Sequence, residues 1–526
     1  MTNDPVMEEL GELYTGVFSS NRFALTSVQC AVLIKAKIVV FVVSKIGSFG
    51  VMIGTSNCST IEGGSMNNAS SFRFLDLFSG IGGFHHALQS LGGECVLACE
   101  IDGDARKIYC EIFDPAQEKF PFIDNIRHLT RSVIDDEETL LSPEDISRLV
   151  PDHEVLCGGF PCQPFSKSGG QQGIKDKTRG TLFFDILQII EAKRPSYLFL
   201  ENVRNLAGPR HADTWQTIVS SLRDLGYVVA SDPLIFSPHL LPPKFGGAPQ
   251  VRERVFILGV REDVEKGQIE NLILFNQGMQ GKKLWDPDQW RIADYLEDDE
   301  TLENIQDHEV SKNEEMYLEA WNYFVETIEQ DLLPGFPIWA FAFQPEPQLT
   351  ADMASWEVDF RIKNSRFYIE NKDFIDQWKQ MKWGTARLTV PEFPVSRQKF
   401  EWQARKKHPG RKGRTLKDLV IQFRPSGIRV KPPTYLPALV AITQTSVVGP
   451  MLRKHAKTYR KLTLVEAGRL QGLPDHIYQK KSVSPQAAYK QLGNAVNVGT
   501  IQRVAGILLG VYPTVFDREP QLALLF

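Results

Sequence analysis

A thiol, a carboxylate and two guanidiniums carry the chemistry that this chain can offer. Cys162 sits in Gly158-Gly159-Phe160-Pro161-Cys162-Gln163-Pro164-Phe165-Ser166, where the Gly-Gly pair and the flanking prolines predict a loop open to a substrate. A free cysteine is more often a small buried hydrophobe, so a nucleophilic role needs activating partners. Glu201 follows the apolar run Tyr197 to Leu200 and is expected at a strand's carboxyl end; a helix cap or a surface acid is the plainer alternative. Arg252 and Arg254, within Gln250-Val251-Arg252-Glu253-Arg254, are expected by period-two alternation to point to one face, with Glu253 on the other. Two guanidiniums aimed together suit a phosphate or a carbonyl oxygen, and a salt-bridged strand edge fits equally.

These groups need elements to hold them. Phe72 to Phe78 predicts a strand, Ser79 to Gly83 a tight glycine turn, Phe84 to Leu91 a helix and Glu94 to Cys99 a second strand, which closes a βαβ unit. Further strands are expected at Glu154 to Cys157, Tyr197 to Leu200 and Val255 to Val260. Leu182, Phe183, Ile186, Leu187 and Ile190 recur at helical spacing, in a helix that Arg194-Pro195 ends. The alternation predicts an α/β fold with a parallel sheet covered by helices on both faces. Ligands of such sheets bind beyond the carboxyl ends of the strands. The glycine turn can bring backbone against a ligand, and Glu100 stands where an acid bonds ribose hydroxyls. The full G-x-G-x-x-G spacing is missing, so NAD and FAD fit less well than S-adenosylmethionine.

The chain has 526 residues, 42% hydrophobic and 23% charged, with a formal net charge of -5. That composition belongs to an ordinary globular protein of two or three domains. All seven cysteines lie in the first third, an odd and clustered set that argues against a disulfide framework. Cys95 and Cys99 flank Val96-Leu97-Ala98 and read as buried strand residues, with no metal site expected. The near-neutral total hides an internal contrast. Residues 286 to 331 hold 16 acids against Arg291 and Lys312, expected to be a solvated face with Met316, Trp321, Phe324 and Ile328 on one side of a helix. Residues 397 to 431 hold 12 Lys/Arg against Glu401 and Asp418, with interleaved Trp402, Phe423 and Pro425, which suits contact with phosphates. The apolar run from Ala31 to Val43 is broken by Lys35 and Lys37 and is too short to span a bilayer. We read residues 1 to 65 as an extension preceding a natural start near Met66, or else as a small native N-terminal element.

Together the residues carry a resemblance. Phe74-Leu75-Asp76-Leu77-Phe78-Ser79-Gly80-Ile81-Gly82-Gly83-Phe84, the Pro-Cys-Gln loop, Glu201-Asn202-Val203, Gln250 through Arg254, Arg469 through Asp475 and Gln491-Leu492-Gly493-Asn494 resemble, in order, the motifs of the DNA (cytosine-5)-methyltransferase family of bacterial restriction-modification systems. The resemblance covers roughly 72 to 260 and 461 to 510. It implies a Rossmann-like S-adenosylmethionine-dependent methyltransferase domain with a smaller, mixed target recognition domain. It implies Cys162 as nucleophile toward cytosine C6, Glu201 at N3, Arg254 at O2 and Arg252 as a support. It also implies cofactor contacts by Phe78, Gly80, Gly82, Glu100, Ile101, Asn125, Leu182 and Asn494, with Gln163 and Ser166 on a mobile loop. Two positions depart from the pattern: Ile101 stands where an aromatic is common, and Asn125 where a carboxylate is.

The implied organisation is an N-terminal extension (1–71), a first catalytic part (72–261), a recognition domain (262–460), a return to the catalytic domain (461–515) and a tail (516–526). The implied partners are duplex DNA and, functionally, a cognate restriction endonuclease. The chain is expected to be a monomer in the bacterial cytoplasm, associated with the nucleoid and with no membrane. Gln521 to Phe526 reads as a tail packed on its own domain, or resembles the short peptide that docks on a replication sliding clamp. A tRNA cytosine-5 methyltransferase and an inactive DNA-binding relative are the competing readings.

Overall fold

The structure is a computed structural model describing residues 71–134, 137–161, 181–264, 266–281, 284–329, 333–404, 414–440, 446–478 and 482–512, with the backbone of three strands between residues 34 and 54. Cys162, Gln163, Ser166 and the tail Gln521 to Phe526 lie outside the described residues. The three early strands, Ile34–Lys35, Ile38–Lys45 and Ser48–Gly54, form an antiparallel sheet in a unit of their own. Everything from residue 69 onward forms the second unit.

Within the second unit, apolar runs make the expected strands. These are β1 (Phe72–Leu77), β2 (Gly93–Cys99), β3 (Phe122–Ile123), β4 (Val155–Gly159), β5 (Tyr197–Val203), β6 (Tyr227–Val229), β7 (Leu234–Phe236) and β8 (Arg254–Arg261). They lie in the order β3-β2-β1-β4-β5-β8-β6, with β7 also on β8. From β3 to β5 all pairs are parallel, and β8 runs antiparallel to β5, β6 and β7. The expectation of a parallel sheet therefore holds for five strands and fails at β8, whose ladders with β5 and β7 are antiparallel. Cys95 and Cys99 are buried in β2 as expected, and no group of potential metal ligands occurs among the described residues.

Helices α1 (Gly83–Gln89), α2 (Gly103–Phe113), α3 (Leu182–Lys193) and α4 (Ala212–Asp224) cover the sheet. Helix α3 ends where predicted, Arg194 taking a left-handed φ of 47° before Pro195. Two apolar clusters flank the sheet. Phe84, Leu88, Phe199 and Phe256 belong to one, and Leu75, Leu156, Ile186 and Leu200 to the other. β1 carries Asp76, fully buried beside Tyr109 and Cys157; burial pushes its carboxyl up to about 8, so it sits there protonated at neutral pH.

After α5 (Gly267–Gln280) the chain builds a second sheet. Helix α6 (Lys312–Thr327) buries Met316, Trp321 and Phe324 behind a Ser311–Glu314 capping box. β9 (Ile338–Trp339), β10 (Lys399–Trp402), β11 (Val420–Arg424), β12 (Gly427–Lys431), β13 (Ser446–Val448) and β14 (Arg460–Lys461) lie in the order β9-β10-β12-β11-β13-β14. The core between them is aromatic: Trp321 stacks on Phe400 at 4.5 Å and meets Trp378 at 4.9 Å. Then α7 (Leu464–Leu470), α8 (Pro485–Asn494) and α9 (Val498–Leu508) return to the first sheet, α9 packing on α1 and α5. No described helix is long and apolar enough to cross a membrane.

The acidic stretch is not simply a solvated face. Asp299 is buried and takes Arg460 Nε at 3.0 Å and Arg453 Nη1 at 2.6 Å. Arg460 forks onto Glu466 at 2.6 and 2.8 Å. The arginines lie more than 150 residues further on, so no local window reveals the pairing. Arg460→Ala leaves the buried Glu466 carboxylate without its guanidinium and Asp299 with Arg453 alone, and is expected to cost about 3–5 kcal/mol, read from the urea unfolding midpoint. A loss below about 1 kcal/mol would mean that the network is solvated after all.

Candidate active site

The strand order reverses direction between β1 and β4, which opens a crevice at their carboxyl ends. On its β1 side, Phe78 adopts a left-handed φ of 54°, Gly80 of 55° and Gly82 of 84°. A non-glycine residue held there is strained, a feature concentrated at functional positions. A side chain on Gly82 would run into the Phe113 ring, whereas beside Gly80 there is open space. Glu100 closes this turn: Gly80 N donates to its Oε2 at 2.9 Å and Asp102 N to its Oε1 at 2.8 Å. Phe78 and Leu182 are only partly buried and edge the same apolar cluster. Ile101 is 71% exposed. Asn125 Oδ1 accepts from Arg127 N at 3.1 Å, so the amide caps a turn and keeps one lone pair for another donor.

Sequence reasoning missed the brace behind this loop. Asp102 caps α2 and also takes Lys490 Nζ at 2.7 Å and Gln491 Nε2 at 2.8 Å from α8. Burial would push its carboxyl up, but Lys490, the Ala105 amide and Gln491 outweigh it and hold it at about 2. The brace brings the end of α8 to the β2 loop. Asn494 is exposed as the last residue of that helix, so Gly-Asn is the helix stop.

Across the crevice, Glu201 lies in β5 opposite Gly159 of β4 and Phe256 of β8. A Cβ on Gly159 would sit 3.2 Å from Glu201 Oε2 and crowd that carboxylate by a few tenths of an ångström. Arg254 Nε lies 2.7 Å from Glu201 Oε1, at an angle too bent for a full hydrogen bond. Burial raises the Glu201 carboxyl above the usual carboxylate range, opposed by Arg254 and Arg252. Glu201 and Arg254 are thus brought together as the sequence implied.

Arg252 points elsewhere. It precedes β8 rather than belonging to it: Arg252 N donates to Ser237 Oγ and Val251 N to Leu436 O, so strand alternation does not govern its side chain. The guanidinium is buried against the carbonyls of Gly493 at 2.9 Å and Leu439 at 3.4 Å. Burial first, then the like charge of Arg254, lowers its pKa to about 9. Arg252 therefore braces α8 instead of sharing a face with Arg254.

The chain leading to Cys162 is anchored two residues before that residue. Asn202 Nδ2 donates to Phe160 O at 2.9 Å, and the Phe160 ring packs on Phe183 of α3 at 5.6 Å. Asn202 is buried, and only its place beside Glu201 hinted at a role. With the role the resemblance implies for Cys162, Asn202→Ala frees the Phe160 carbonyl, and displacing the thiol by about 1 Å is expected to cost on the order of 100-fold in kcat. The KM for the methyl donor should stay within about twofold, since the β1 turn is untouched. An unchanged kcat would show that the loop does not depend on this anchor.

Residues 72–509 match the family description C-5 cytosine-specific DNA methylase. The type II methyltransferase M.AluI of Cellulosimicrobium cellulans is 36% identical over 508 residues, covering 82% of this chain and 91% of that protein. The type II methyltransferase M.HhaI of Haemophilus parahaemolyticus is 37% identical over 192 residues, or 36% of this chain and 50% of its own length. Among solved structures, the S. pombe Dnmt2 methyltransferase aligns with 84% of this chain and 98% of its own, at 17% identity and a TM-score of 0.45. The chain belongs to the C-5 cytosine-specific DNA methylase family.

Proposed function

We propose that this chain transfers a methyl group from S-adenosylmethionine to C5 of a flipped-out cytosine in a specific duplex DNA sequence, through a covalent bond between Cys162 and C6. The observation that carries the reading is the buried Glu201 carboxyl beside Arg254, opposite Gly159 at the carboxyl end of β4, three residues before Cys162. Protection of host DNA from a partner restriction endonuclease is the corresponding biological role, supported by the names of the type II relatives.

The residues around the β1 turn fit the methyl donor. Glu100 keeps acceptor capacity for ribose hydroxyls, Phe78 and Leu182 offer partly covered apolar faces for adenine, and exposed Ile101 would add a further apolar contact. Gly80 leaves space for the methionine part, with Asn125 and Asn494 at the edges. When bound, S-adenosylmethionine supplies an electrophilic methyl group on a sulfonium.

The chain's own groups make cytosine nucleophilic. The Cys162 thiolate adds to C6, and the electrons of the C5=C6 bond move into the ring. Glu201, protonated more readily than an exposed acid, gives its proton to N3 and so stabilises the charge that develops. Arg254 holds O2. C5 then takes the methyl group and gives its proton to water, the reformed double bond expels Cys162 as a thiolate, and N3 returns its proton to Glu201. A base stacked in duplex DNA cannot be reached this way, so the nucleotide is extruded first.

Transfer of labelled methyl groups to duplex DNA and to tRNA tests the proposal, with bisulfite sequencing to map the methylated cytosines. Incorporation into DNA at one sequence is expected. Incorporation into tRNA alone, or into neither, would overturn it.

A further inference from the structure

The polar face of the second sheet holds a group that the methyl-transfer chemistry does not use. Phe400, Trp402, Ile421, Phe423, Ile428 and Val430 enter the aromatic core, so alternation puts Glu401, Arg424 and Arg429 on the opposite face. Glu401 lies directly beside Arg429 in the β10–β12 pair. Its Oε2 accepts from Arg424 Nη2 at 2.8 Å and from Arg429 Nε at 2.9 Å, which fixes two guanidiniums side by side. Gln403 holds the other oxygen of the same carboxylate. Both arginines stay about a quarter exposed, at 26% and 28%. Arg424 Nε is buried without an acceptor, and among the described residues nothing takes the Nη groups of Arg429.

This face packs toward the part of the chain that carries Gln250. Val420, on the same side of β11, packs with Val448 and Leu436 onto Leu462 and Leu470 of the catalytic body. Lys431 lies over the Tyr435 ring at 5.4 Å, and the next residue, Leu436, bridges to Gln250, four residues before Arg254. A carboxylate at the centre of the pair disfavours a phosphate oxygen there but leaves the outer nitrogens free for a neutral base edge.

We propose that Arg424 and Arg429, spaced by Glu401, are a base-reading pair that takes the N7 and O6 acceptors of guanine in the target duplex. Arginine forks onto these two atoms more often than any other specific contact. Every duplex cytosine target brings at least one guanine, its own partner. Glu401 acts as a positioning residue: it holds the forks in place before DNA arrives, so that less freedom is lost on binding. The inference rests on duplex DNA being the substrate.

The test uses the mapped recognition site with each guanine replaced in turn by 7-deazaguanine, which lacks the N7 acceptor and still pairs with cytosine. For the wild-type chain, one replacement is expected to lower kcat/KM by about 10- to 100-fold. Arg424→Ala and Arg429→Ala should be slower on the natural site and nearly indifferent to that replacement. Arg429→Lys, which keeps the charge and loses the fork, should behave like Arg429→Ala while melting at the wild-type temperature. Glu401→Gln should raise the KM for DNA more than it lowers kcat. Equal sensitivity in wild type and all variants would overturn the proposal, as would an equal weakening on specific and non-specific DNA. A wild-type chain that methylates no duplex at all would instead overturn the proposed substrate.

Discussion

Cys162→Ala should abolish methyl transfer to duplex DNA, with a loss of about four to six orders of magnitude in kcat, the scale seen when a nucleophile acting within a catalytic unit is removed. Cytosine C5 does not attack a sulfonium methyl unaided, and without a thiolate at C6 no electrons reach it. Binding should survive, because the basic and aromatic groups of the second sheet are unaltered. A duplex with 5-fluorocytosine at the target separates the steps, since fluorine at C5 cannot leave as a cation. The wild-type chain should stay attached to that duplex on a denaturing gel, and Cys162→Ala should not. A variant retaining more than about a hundredth of the wild-type rate would remove Cys162 from the reaction.

Glu201→Gln should lower kcat by about 10²- to 10⁴-fold, the range for a positioned proton donor. Glutamine keeps the shape and can still meet N3, but gives up no proton. The sign of the pH dependence follows from burial. The folded-state pKa lies above the ordinary carboxylate value, so the useful protonated form is present below it and kcat falls as pH rises through it. The variant should lack that descending limb. The same shift means that the folded chain holds a proton the unfolded chain has released, so Glu201 lowers stability as pH rises across the interval. Glu201→Gln should therefore gain stability over wild type at alkaline pH, measured by thermal melting. A pH profile identical in both chains would show that Glu201 carries no catalytic proton.

Much of this was legible because strand ends leave strong local marks. An apolar run closing on Glu201, a glycine turn after Phe78 and a helix stopped at Arg194-Pro195 each fall within a ten-residue window. What stayed hidden depends on distant partners. The antiparallel direction of β8 is set by its pairing with β5 and β7, and the hydrophobic pattern of Val255 to Val260 is the same in either direction. Arg252 and Arg254 look equivalent by alternation, but the strand begins only at Arg254, two residues after Arg252. Asp299, Arg453 and Arg460 look solvated in composition and are buried only because they meet. Asn202 and Asp102 hold backbone and side chains from other elements, and nothing in their own neighbourhoods announces it.

The closing helix has a consequence for synthesis on the ribosome. Ile501, Val504 and Leu508 of α9 fill the apolar face shared with Phe84 and Leu88 of α1, and Gly83 lies against Val496, more than 400 residues later in the chain. The first sheet can begin to form early, but its outer layer stays uncovered until α9 has been translated. Contacts of such long range slow folding and keep apolar surface exposed in the interval. A chain interrupted before α9 would hold every proposed catalytic residue and still lack the packing that keeps the glycine turn in place. Methyl transfer should therefore begin only once α9 has been made, and chains stopped before it should be inert and readily degraded.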